Sequence, residues 1–121
     1  MANRLANLLR SEGVGPGDIV AVQLPNRRES CAFDYAIAAV GAISLPMPVN
    51  YGPKDMQNLL FRSQAIAYVT IDRFHTFDHL AAVTSLRAEL PALRTVFALA
   101  STGADAEITP SSVGAITLIA S

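Results

Sequence analysis

Gly15-Pro16-Gly17-Asp18-Ile19-Val20-Ala21-Val22-Gln23-Leu24-Pro25 is the stretch that decides the fold. Residues 15–18 carry turn chemistry, and the run from Ile19 to Leu24 is apolar on both of its alternating sets. A strand that shows water on one side alternates; one that does not alternate is buried on both faces, as parallel strands are. Pro25 ends the run. Just upstream, Leu5, Leu8 and Leu9 fall at helical spacing and Gly13 supplies a left-handed stop. The chain therefore enters its first buried strand from a helix, through a glycine-rich turn.

The same alternation continues downstream. Asn26 with Glu29 reads as a capping box opening a helix whose inner face carries Phe33, Ile37 and Val40 as far as Gly41. A short strand over Ala42–Leu45 stops at Pro46, and the extended Met47-Pro48-Val49 leads to Asn50. Pro53 opens a helix with Met56, Leu59 and Leu60 as its core stripe. Ile66–Ile71 is the third strand. Phe77, Leu80, Val83 and Leu86 mark a helix capped by Thr76, with Pro91 just beyond its end. Val96–Leu99 is the fourth strand, the stretch from Ser101 to Ser112 a loop, and Ala115–Ile119 a final buried strand. Strand and helix in regular alternation predict an α/β fold: a mostly parallel sheet with helices on both faces and right-handed crossovers.

Composition narrows the function classes. The 121 residues are 51% hydrophobic and 16% charged, more apolar than an average soluble domain. A net charge of −1 with mixed signs gives no electrostatic footprint for nucleic acid or an anionic membrane. No apolar stretch approaches the roughly 20 residues that span a bilayer, and no secretory leader is visible. The single cysteine, Cys31, has no intrachain partner, which fits a reducing, cytoplasmic setting.

Several residues invite a chemical reading. Gly13-x-Gly15-x-Gly17 has the spacing of a phosphate-cradling loop, but such loops follow a strand and open a helix; here the order is reversed, so the glycines are a helix stop and a turn. His75 and His79 lie four apart without a third ligand and read as surface histidines. Arg27 and Arg28 at a helix start read as solvated. Asp34 and Glu29 point in different directions from one helix. Cys31 reads as a packed, inert thiol.

Taken together, several stretches resemble the adenylate-forming (AMP-dependent synthetase and ligase) superfamily, closest to acyl-CoA synthetases. They are Asn3–Leu9 followed by Gly13–Val22, Leu24-Pro25-Asn26 with Glu29, Ala36–Ala42 with Pro46 and Pro48-Val49-Asn50, and Leu59-Leu60 with Ser63 and Ala65 before Ala67-Tyr68-Val69. Phe77-Asp78-His79 and Glu89–Arg94 look closer to ligases of alicyclic, aromatic or medium-chain acids than to luciferases. The resemblance implies that residues 1–121 are the N-terminal portion of an AMP-binding domain, part of the large N-terminal domain of an acyl-adenylate-forming enzyme. It implies ATP, Mg2+ and CoA as cofactors of the intact enzyme, none for the fragment, and a small carboxylic acid as substrate. Ala120-Ser121 would occupy the first two positions of the family's phosphate loop, which makes Ser121 the one candidate cofactor-binding residue. The loop's glycines and lysine are absent, so the chain is expected to be truncated there, to expose apolar sheet edges and to be inactive alone. Two alternatives stand beside this: a stand-alone α/β scaffold or interaction domain without catalysis, and part of an adenylation domain loading a carrier protein.

Overall fold

A computed structural model describes residues 2–24, 28–71, 78–99 and 116–120. Helix α1 (Ala2–Ser11) leads into strand β1 (Ile19–Gln23), followed by α2 (Arg28–Ala39), β2 (Ile43–Pro46), α3 (Pro53–Ser63), β3 (Ala67–Ile71) and α4 (His79–Leu86). A turn of 3-10 helix over Arg87–Glu89 then precedes β4 (Thr95–Leu99), and β5 (Ile116–Ala120) completes one sheet in the order β2-β1-β3-β4-β5. The first four strands are parallel; β5 pairs with β4 antiparallel, Thr95 facing Ala120 and Leu99 facing Ile116.

The two alternating sets of the strands feed two separate cores. Val20, Val22, Val69 and Phe97 pack with Leu5 and Leu9 of α1 and Phe33 and Ile37 of α2. Ala21, Tyr68 and Val96 pack on the other face with Met56 and Leu60 of α3 and Val83 of α4. The run in 19–24 without alternation thus has its predicted cause, helices on both sides. At the edge the rule relaxes: Ile43 on β2 is more than half exposed, as is Tyr35 on α2.

Two helices end in the same way. Behind α1, Gly13 takes φ +85, its N–H bonding Arg10 O at 3.0 Å while Val14 N–H reaches Leu9 O at 3.0 Å. Behind α2, Gly41 takes φ +82, with Gly41 N–H to Ala38 O and Ala42 N–H to Ile37 O, both 3.0 Å. Both are Schellman closures, which use a left-handed residue to satisfy the last carbonyls. The turns also touch each other: Gly17 N–H donates to Gly41 O at 3.0 Å, and a Cβ on Gly41 would meet Pro16 Cα at 3.3 Å. Gly41→Ala is therefore expected to lose about 2 kcal/mol, from a left-handed alanine pressed on rigid backbone. Gly15→Ala, with open space around it, should stay within about 0.5 kcal/mol. Urea titration of the two variants checks the contrast.

The start of α4 differs from expectation. Its N-cap is Asp78, not Thr76: the Asp78 carboxylate accepts from Ala81 N–H at 2.8 Å, satisfying an amide of the first turn. Thr76 itself, the Asn26–Glu29 box and the 101–112 loop fall outside the described residues and side chains. Pro53 does open α3, and the chain leaves that helix through Gln64 at φ 55.

Candidate functional site

The connections fix where a site can form. The link from β1 to β2 runs through α2 on one face, and the link from β2 to β3 through α3 on the other. Open α/β sheets take ligands outside the carboxyl ends of the strands where such connections diverge, here between β1 and β3.

That rim is built from a buried polar network. Gln23 ends β1 and Thr70 lies beside it in register on β3, with Tyr68 two residues earlier on the same face; all three are fully buried. The Gln23 Nε2 donates to Pro48 O at 2.8 Å and Tyr51 O at 3.3 Å, while its Oε1 accepts from the Tyr68 hydroxyl. Thr70 Oγ1 donates to the Gln23 carbonyl at 3.1 Å. On the far side His79, the first residue of α4, places Nε2 2.8 Å from Val49 O, so that nitrogen carries the hydrogen. The segment from Met47 to Tyr51 is thereby strapped across the end of the sheet. Burial pushes the Tyr68 phenol well above the usual tyrosine range, a shift that Thr70 only partly opposes. The hydroxyl stays protonated and acts as a donor. None of these buried groups can reach a substrate, so the network holds backbone and performs no proton transfer itself. Around it Pro48 and Asn50 are exposed, and the N-cap of α3, Gly52, offers its first turn no side-chain acceptor.

The residues singled out in the sequence do not converge there. The glycines at 13, 15 and 17 sit at the opposite rim, forming the expected helix stop and turn, with Gly15 N–H held by Asp18 Oδ2 at 2.9 Å. His79, expected at the surface, is fully buried, because its partner carbonyl comes from thirty residues upstream and leaves no local trace. Cys31, expected to be packed, is exposed; it lies two residues, about 200°, from Phe33 and so faces away from the inner stripe. Asp34 accepts from Ser44 Oγ at 3.0 Å. His75, Arg27 and Ser121 lie outside the described residues, as do the side chains of Arg28 and Glu29. No three His, Cys, Asp or Glu side chains among the described residues converge as metal ligands. Gln23 and Tyr68 were not singled out from sequence. The available signal was polar residues at 23, 68 and 70 in strands whose burial leaves no solvent face.

Fold and rim together define an open α/β architecture whose strap crosses the carboxyl end of the central strands. Residues 1–115 match the family model described as AMP-binding enzyme, and the chain belongs to that family. It is 33% identical over 98 residues to a long-chain-fatty-acid–CoA ligase, FadD15, of Mycobacterium bovis, covering 81% of this chain and 16% of that protein. Enterobactin synthase component F of Escherichia coli is 36% identical over 89 residues, covering 72% of this chain and 7% of its own length. Among solved structures, acetoacetyl-CoA synthetase from Streptomyces lividans superposes with a TM-score of 0.74 at 30% identity, over 90% of this chain and 17% of that one. The chain thus spans a small part of the relatives it matches. No helix among the described residues is long and apolar enough to cross a membrane.

Proposed function

We propose that residues 1–121 are the N-terminal portion of the AMP-binding domain of an ATP-dependent acyl-CoA ligase, truncated at the start of a phosphate loop whose first two positions are Ala120 and Ser121. The observation that carries this reading is the family match over residues 1–115, joined by likeness to enzymes whose names state CoA thioester formation. The intact enzyme would convert a small carboxylic acid and ATP into an acyl-adenylate and pyrophosphate, then pass the acyl group to the CoA thiol with release of AMP. Dividing the transfer through a mixed anhydride replaces one difficult step with two easier ones. The described residues do not themselves fit ATP or its Mg2+: their glycine turn leads into a strand, and their rim network is turned inward. Their part in the reaction is structural, supporting one wall of the cleft, and the exposed Ile43 on edge strand β2 suits a piece that packs against more chain.

The similarity to a component of enterobactin synthase favours one second reading, an adenylation domain that loads a carrier protein. Two measurements test the proposal in order. Reading the nucleotide sequence past the Ser121 codon should find an open frame continuing into a glycine-rich loop with a lysine. The protein carrying that continuation should then catalyse acid-dependent ATP–pyrophosphate exchange, with AMP release driven by CoA. Release driven only by a carrier protein would move the assignment to the second reading. A stop codon after Ser121 would sink the ligase assignment and leave a scaffold domain.

A further inference from the structure

The amide of Gln23 is out of character with the strand that carries it. A methionine there would fill the same space without removing three hydrogen-bonding functions from water. Every function is spent on one neighbour: Nε2 holds the carbonyls of Pro48 and Tyr51, and Oε1 is oriented by the Tyr68 hydroxyl. His79 holds the Val49 carbonyl from another element. Three of the four carbonyls in 48–51 are thus gripped by fully buried side chains. The grip is on main chain alone; Tyr51 packs its ring against the core, while Pro48 and Asn50 are exposed. Such a device fixes the shape of a surface segment without dictating its sequence, and this one lies at the rim where open α/β sheets take their ligands.

We infer that Gln23, Tyr68 and His79 are positioning residues that hold the 48–51 backbone as a preformed wall of the crevice outside β1 and β3, against which one substrate of the reaction is seated. The identity of that ligand as a substrate rests on the ligase reading; the latch does not. Gln23→Met removes both bonds that Gln23 makes to the segment at constant volume and leaves the His79 bond in place, whereas Tyr68→Phe removes only the group that orients the amide. In the protein carrying the full reading frame, Gln23→Met should speed hydrogen exchange of the Met47 and Tyr51 amides about tenfold, with β1 and β3 unchanged. It should also raise KM for the acid or the acceptor about tenfold, with kcat held within about twofold. Tyr68→Phe should shift both readouts in the same direction by less, and decides the matter if Gln23→Met does not fold. Unchanged exchange at 47 and 51 overturns the latch. Faster exchange with every KM unchanged overturns the wall. Absence of acid-dependent pyrophosphate exchange in the unsubstituted protein overturns the ligase reading and the substrate assignment with it, while hydrogen exchange still decides the latch.

Discussion

Phe33→Ala is expected to destabilise the fold by about 3–5 kcal/mol, the range for emptying a fully buried aromatic site. Phe33 projects from α2 into the core it shares with α1 and the sheet, 1% exposed, its ring centroid 6.4 Å from that of Phe97 and tilted by 50°. That tilted pairing adds to the lost burial, since edge-to-face rings are worth about 0.5–1.5 kcal/mol beyond their area. A domain of this size holds only on the order of 5–15 kcal/mol in all, so the variant should sit close to its unfolding midpoint in dilute urea. A midpoint shift worth less than about 1 kcal/mol would mean that α2 does not pack through this residue.

Tyr68 should make the fold sensitive to alkali. Its folded pKa lies above the unfolded value of 10.0 because burial disfavours the phenolate. Below pH 10 both states hold the proton and the contribution is complete. Above it the unfolded chain releases the proton while the folded one retains it, so stability falls by about 1.4 kcal/mol per pH unit until the folded phenol titrates as well. Urea midpoints from pH 8 to 11.5 should therefore decline steeply beyond 10. In Tyr68→Phe the curve should start lower, by about 1–3 kcal/mol, because Gln23 Oε1 loses its donor in a dry site. It should then lose less across the alkaline range. Parallel curves for the two proteins would show that another group controls the decline.

Element order, both glycine helix stops, the proline opening of α3 and the doubly covered sheet were legible, because each rests on local chemistry or on periodicity within one element. The apolar run at 19–24 announced helices on both sides without saying which ones. Direction was not legible in β5: an apolar strand reads alike either way, and its antiparallel pairing with β4 depends on the connection before it. The side-chain environments that failed were those set by distant neighbours. His79 is buried because Val49 offers it a carbonyl, and Asp78 takes the capping role that local sequence assigns to Thr76. Cys31 could have been placed correctly, since the Phe33, Ile37, Val40 stripe already turns it outward. The strap network has no sequence signature because Gln23, Tyr68 and Thr70 come from two strands and their bonds close on distant backbone or on one another, which no motif encodes.

The reversal of β5 gives the sheet two unlike ends. β1 to β4 finish at the rim crossed by the strap, whereas β5 finishes at Ala120 beside Thr95, at the rim shared with the glycine turns. Five hydrogen-bonded residues lie between the two, a span of roughly 16 Å at the rise of an extended chain. The sheet therefore works as a ruler: the Ala120 end of β5 is kept at least that far from the strap. Peptide geometry sets this separation, so exchanging side chains at either end can change what each one grips but not how far apart they stand.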